Sequence, residues 1–212
     1  MFNRIFDEFK TIHEKNIQMV KELAEKGWFV SPFEVGGNVE FLFENPSDMG
    51  ILDTNMIVYI NSIYKKLKEK TLKKFDKRKH ILEVAFNLHE NNNYVAAIPL
   101  FLSQIDGLCA TQFGSFLFSE HAKRKDKIRT EIESNPIFRF IIEPMLTPLQ
   151  SEIQFSASIA HSAQNKKAKG PNRNGILHGS KKHLDYGTEI NSYKCLSLLF
   201  YMVEIIEEKD KK

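Results

Sequence analysis

The apolar positions of this 212-residue chain recur mostly at helical spacing. Over residues 3–26, Ile5, Phe6, Phe9, Ile12, Ile17, Val20, Leu23 and Ala24 lie three or four apart with charges between them, which predicts an amphipathic helix ended by Gly27. The stretch that follows, WFVSPFEVGGNVEFLFEN, is aromatic and β-branched around Gly36 and Gly37. It reads equally as a short hairpin or as an irregular apolar lid, because Pro32 and Pro46 oppose long strands. From Asp53 the pattern is helical almost to the end. Asp53 is placed to cap a helix beginning at Thr54, with Met56, Ile60, Ile63 and Leu67 on one stripe. Residues 79–90 predict another helix and Asn91, Asn92 and Asn93 a turn.

Next comes YVAAIPLFLSQIDGLCATQFG, which has no polar face. It predicts a central, buried helix kinked at Pro99. Residues 119–133 are charged and predict an exposed helix or arm, and Pro144 and Pro148 interrupt the apolar stretch that follows. Thr188 is placed to cap a last helix. Ile190, Tyr193, Leu196, Phe200, Val203 and Ile206 form one stripe of it, and Leu198, Leu199, Tyr201, Met202 and Ile205 nearly fill its other faces. That is more apolar surface than one side of a small bundle needs, so this helix is also a candidate dimer interface.

The expected fold is therefore all-α: a helical bundle over residues 51–212, preceded by an N-terminal helix and apolar appendage over residues 1–50. With 42% hydrophobic residues the chain can build one sizeable core. Cys109 and Cys195 fall in apolar helical patterns and read as buried free thiols of a reducing compartment. The charged N-terminus predicts no signal peptide, and no apolar run is read as reaching the roughly 18 residues of a membrane span. The expectation is a soluble, cytoplasmic protein without a membrane partner.

Net charge is only +3, so the clustering of charge says more than its total. Lys65, Lys66, Lys68, Lys70, Lys73, Lys74, Lys77, Arg78 and Lys79 form one basic run. It reads as a solvated helix face or as an electrostatic footprint for a polyanion. A second cluster lies between Glu152 and Asp185, an interval without a carboxylate: Lys166, Lys167, Lys169, Arg173, Lys181 and Lys182, with His161, His178 and His183. Gly170, Pro171, Gly175 and Gly179 are expected to break any regular helix there. A cationic, irregular, histidine-bearing loop seated on a buried helix suits an anionic ligand such as a phosphodiester. Gln104 and Asp106 stand out in the otherwise oily helix before it. A buried carboxylate needs a partner, so Asp106 either anchors a neighbouring basic side chain or orients Arg173 or His178.

Several chemistries lack their residues. His178 and His183 are five apart with a glycine between, and there is no H-E-x-x-H or cysteine pair, so neither a metal nor another cofactor is expected. No phosphate-binding glycine loop and no G-x-S-x-G elbow occurs. Arg173 and His178 remain. Such a pair can cleave RNA without metal, because the ribose supplies the nucleophile. Histidine moves the proton and the guanidinium holds the phosphate's charge. On residue chemistry alone the plainer reading comes first, that both side chains merely pin the loop to Asp106, Asp185 or Glu189.

Arg173-Asn-Gly-Ile-Leu-His178 resembles the R-x-x-x-x-H motif of the HEPN superfamily, in the R-N-x-x-x-H form that the family favours. The wider string from Pro171 to Gly179, then Asp185 to Asn191 and a helix of leucines, is similar to the C-terminal part of bacterial HEPN-like proteins. Residues 94–108 resemble an earlier helix of the same group. The likeness covers about residues 53–208 and leaves residues 1–50 outside. It implies a helical bundle that dimerises and brings two motifs into one cleft. It further implies a metal-independent endoribonuclease of toxin–antitoxin, phage-defence or RNA-processing systems, leaving a 2′,3′-cyclic phosphate. Carried over, Arg173 and His178 are the catalytic pair and Asn174 helps hold the scissile phosphate. Gln104 and Asp106 are added as orienting groups that the family motif does not require. Lys166, Lys167, Lys169, Lys181 and Lys182 are expected to bind flanking phosphates. RNA, a second copy of the chain, and an antitoxin or other regulatory protein are the expected partners. The alternative is an inactive HEPN-like module that binds RNA or nucleotide or only dimerises. A weaker third reading, a helical regulator contacting DNA through the basic patches, has no helix-turn-helix signature behind it.

Overall fold

The last helix sets the architecture. In the computed structural model, which describes residues 15, 17–31, 48–118, 126–130, 145–149, 155–159 and 170–210, every residue from Asn191 to Ile206 is buried. We number the helices α1 (17–25), α2 (Met49–Lys74), α3 (Lys79–Glu90), α4 (Tyr94–Phe113), α5 (Arg173–Leu177) and α6 (Glu189–Asp210). Further helical residues stand at 126–130 and 145–149. The protein is all-α: α6 packs on α4 and α2, α3 packs on α4, and α5 packs on α4 near its C-terminal half. The hairpin-or-lid question at residues 32–47 lies outside the described residues, as does most of 119–133 and 137–161.

α6 is apolar all round because it is the axis of the bundle. Its surplus apolar faces are covered within the chain, which corrects the expectation that they form a dimer interface. Tyr201 donates to the Met145 carbonyl at 2.6 Å, and the Phe29 N–H reaches Ser197 Oγ at 3.3 Å. Trp28, Phe29 and Val30 are fully buried in the same core as Met56, Ile60, Phe101 and Leu199. The described part of the N-terminal stretch is thus built into the bundle.

α2 begins earlier than the pattern suggests. Asp48, not Asp53, is its cap and accepts from the N–H groups of Gly50 and Ile51. Asp53 lies inside the helix, where it accepts from Trp28 Nε1 at 2.8 Å and faces Lys194 Nζ at 3.8 Å. Lys194, only 2% exposed, also lies over the Trp28 ring. Burial pulls its pKa down, and Asp53 opposes that pull.

α4 runs between α3 and α6. By length and composition it is apolar enough to cross a membrane, which corrects the expectation that no run reaches that length, but here it is a core helix of the bundle. Pro99 has no N–H to give the Val95 carbonyl. The Tyr186 hydroxyl donates to that carbonyl instead, at 2.9 Å. Gly187 sits against Val95, where a Cβ would collide with the valine side chain. The proline thereby creates the docking point for the loop between α5 and α6. Thr188 caps α6 as expected, accepting from the Asn191 N–H at 3.2 Å. Cys109 and Cys195 are buried and not joined in a disulfide.

His89 is buried under Tyr64, Tyr94, Phe101 and Tyr193, with Nδ1 2.9 Å from Ser192 Oγ. Burial pushes its pKa down to about 4, against opposing and reinforcing fields from Glu90 and Lys68. The unfolded chain takes up this proton near pH ~6.5 and the folded one does not. Stability is therefore complete above that pH and falls as pH drops toward the folded value. Urea unfolding should show the wild type losing about 2 kcal/mol more than His89→Gln between about pH 6.5 and about pH 4.5. Equal losses would show that His89 is not the buried neutral group.

Candidate functional site

Residues 173–177 form a short helix closed at both ends, although Gly170, Pro171, Gly175 and Gly179 read as helix breakers. Asn172 caps the start: its Oδ1 accepts from the Gly175 N–H at 2.7 Å and its Nδ2 donates to the Ala157 carbonyl at 2.8 Å. Gly179 takes φ +62°, its N–H returns to the Ile176 carbonyl, and the Ser180 N–H returns to the Gly175 carbonyl at 2.8 Å. That is the glycine-stopped closure of a helix C-terminus. The Arg173 N–H donates to the Phe155 carbonyl at 2.9 Å, and Ile176 is buried beneath. Gly170 and Pro171 lead in; Gly175 and Gly179 serve the turn rather than breaking it.

Arg173 opens this helix and turns inward. Its Nη2 stands 3.4 Å from Asp106 Oδ2 and its Nη1 donates to Asn174 Oδ1 at 3.2 Å. The Nε is buried without a hydrogen-bond partner among the described residues. Asp106 is 4% exposed, and its other oxygen accepts from the Phe118 N–H at 3.1 Å. A buried carboxylate with one charged partner and one backbone donor is a satisfied group. Of the two partners open to Asp106 from the sequence, the structure gives Arg173.

Gln104 is placed elsewhere. Two positions on a helix turn the side chain by about 200°, and Gln104 Oε1 accepts from Arg78 Nη1 at 3.0 Å. Arg78 also reaches Thr111 Oγ1, and Gly107 leaves room for the guanidinium, since a Cβ there would lie 2.8 Å from Nη1. Gln104 therefore orients Arg78 and not Arg173.

His178 is exposed at the end of the short helix, and its N–H still donates to the Asn174 carbonyl at 3.1 Å. Five helical positions separate it from Arg173, about 140° around the axis. The arginine is drawn toward α4 while the histidine faces solvent. Lys181 and Lys182 follow it and are exposed. Lys166, Lys167, Lys169 and His161 lie outside the described residues.

His183 was not selected from the sequence, yet it touches the motif itself. Its ring fills the place of a side chain at Gly175: a Cβ there would fall on the ring, with Nε2 at 2.7 Å. The glycine two residues after the arginine is the trace of this contact, but only the fold reveals what fills the space. Around the same loop Val95, Leu177, Leu184 and Ile190 are exposed apolar residues.

The basic run on α2 is largely spoken for. Lys68 pairs with Glu90 at 2.6 Å, Lys70 with Glu204 and Glu207, and Lys74 with Asp210. Burial opposes the charge on Lys70, but the hydrogen bonds it donates to Glu204 and Glu207 raise its pKa. These lysines tie α2 to α3 and α6, which weakens the polyanion reading of that face. Among the described residues no group of three histidine, cysteine, aspartate or glutamate side chains is placed to hold a metal ion.

No protein-family model, curated protein or solved structure matches the chain.

Gly175→Ala separates local helix propensity from packing. Propensity alone would stabilise the helix by up to about 1 kcal/mol. The collision with the His183 ring should instead destabilise the protein by about 1–3 kcal/mol, read as a lowered urea midpoint. A raised midpoint would mean that the ring does not occupy this space.

Proposed function

We propose that the chain is a HEPN-type, metal-independent endoribonuclease that acts as a dimer on RNA. The observation that carries this is the doubly capped helix 173–177, which presents His178 to solvent beside Lys181 and Lys182 while fixing Arg173 at its other end. In this reading His178 either takes a proton from the ribose 2′-hydroxyl as the neutral imidazole or gives one to the leaving oxygen as the imidazolium. The Arg173 guanidinium stabilises charge on the phosphate, and Asn174, linked to it, helps hold the phosphodiester. The lysines add sequence-independent affinity that weakens with salt. Arg173 and His178 diverge within one chain, so completing a two-motif cleft falls to a second copy. The exposed Val95, Leu177, Leu184 and Ile190 offer that copy an apolar contact around the motif. A role as a toxin or defence effector restrained by an antitoxin belongs to the same reading.

One observation favours the alternative of an inactive RNA- or nucleotide-binding or dimerising module. Arg173 is already engaged by Asp106 and Asn174. A phosphodiester has to share the guanidinium with Asp106 or displace it, leaving a buried carboxylate unpaired at a cost of several kcal/mol.

Incubation of a mixed RNA pool in EDTA decides between them. The wild type should cleave, leaving 2′,3′-cyclic phosphate ends. His178→Ala and Arg173→Ala should each lose on the order of 10²-fold or more while remaining folded. No cleavage by the wild type, or cleavage at the wild-type rate by both variants, would leave the binding module as the reading.

A further inference from the structure

The contact between His183 and Gly175 brings a second imidazole to the motif. Residues 175 and 178 are three apart on a helical turn, and His178 keeps its backbone hydrogen bond to Asn174. Side chains at such positions are neighbours, with Cβ atoms about 5–6 Å apart. Position 175 has no side chain of its own, and the His183 ring occupies that space. The His183 ring and the Cβ of His178 therefore flank the same turn of the short helix. The reverse turn that delivers His183 is fixed: Gly179 is left-handed, Ser180 closes the helix, and the His183 N–H donates to the Ser180 carbonyl at 2.9 Å. His183 is half-buried, and His178, Lys181 and Lys182 are exposed.

We propose that His183 is a second catalytic residue, and that His178 and His183 of the same chain form the acid–base pair for cleavage of an RNA phosphodiester. This rests on the ribonuclease reading and adds to it that both protons are handled within one chain. The 2′-oxygen bonds to phosphorus as the P–O5′ bond breaks. One imidazole, neutral at the outset, accepts the 2′-hydroxyl proton. The other, protonated at the outset, gives its proton to O5′. The products are a 2′,3′-cyclic phosphate and a 5′-hydroxyl, and the two rings have exchanged charge states, which water resets. Such a pair requires one ring charged and one neutral, so the rate should pass through a maximum with pH.

The test uses the full-length chain on a single-stranded RNA oligonucleotide and on the same oligonucleotide with a 5′-bridging sulfur at one linkage. A thiolate departs without needing a proton. His183→Phe keeps a ring against Gly175 but removes the nitrogen, and its fold is checked by its melting temperature beside His183→Gln. The expected result is that His178→Phe and His183→Phe each lose about 10²–10⁴-fold on the ordinary RNA. Each should also flatten one limb of the pH–rate curve, and the bridging sulfur should restore the rate of one variant only. Wild-type activity retained in His183→Phe or His183→Gln overturns the proposal and reduces His183 to packing. A loss restored by sulfur in neither variant, or in both, overturns it as well. A wild type that cleaves while His183 proves dispensable leaves the ribonuclease reading standing. A wild type that cleaves nothing removes both.

Discussion

Burial of α6 around its whole circumference is the constraint on which the rest of this structure depends. A 22-residue helix surrounded on all sides cannot carry an unpaired charge. Lys194 is met by Asp53 and by the Trp28 ring, and Glu204 is met by Lys70. Those pairings fix α2 and the N-terminal segment against the axis. They also consume basic residues that would otherwise look like a surface for a polyanion. The hydrophobic term places α6 at the centre; the ion pairs determine which neighbours surround it and in what register.

The candidate site inherits its rigidity from this frame through two contacts on α4. Pro99 frees the Val95 carbonyl, which Tyr186 takes, and Asp106 receives Arg173. One holds the loop after the short helix and the other holds its first residue. Between these anchors an N-cap and a left-handed glycine close a turn and a half of helix that would not persist in isolation. The Asp106 pair also sets the energetic terms of any phosphate binding. Arg173 is oriented in advance, so little entropy is lost on meeting a ligand. The carboxylate that orients it also competes for it. Whether preorganisation or competition wins separates a catalyst from a binding module, and the answer turns on how much of the guanidinium a phosphate reaches while Asp106 stays paired.

Much of the fold was legible from hydrophobic spacing. The helix over residues 79–90 and the buried one starting at Tyr94 follow it, as do the stop at Gly27 and the cap at Thr188. Where the pattern misled, nonlocal contacts decided. Asp53 has the chemistry of a cap but is claimed by Trp28 and Lys194, while Asp48 takes the end of α2. Gln104 and Asp106 look like a pair in the sequence and face opposite sides of α4. Glycines at 175 and 179 signal a break locally. One is instead a helix stop and the other makes space for a ring that arrives from eight residues further on. Arg173 and His178 drew attention through their resemblance to a family motif. The contact of His183 with Gly175 did not, because the chain signals it only by an absent side chain.

The proposed ribonuclease reading puts RNA against residues 172–183, with both His178 and His183 in contact range. The most direct measurement is a proton NMR titration of the histidine Hε1 resonances with a 2′-O-methyl oligonucleotide, which binds as RNA does but cannot be cleaved. On that reading the His178 and His183 signals shift together as the complex forms, while His80 and the buried His89 stay in place. Saturating oligonucleotide that leaves His178 and His183 unmoved, or that moves His80 alone, would contradict it.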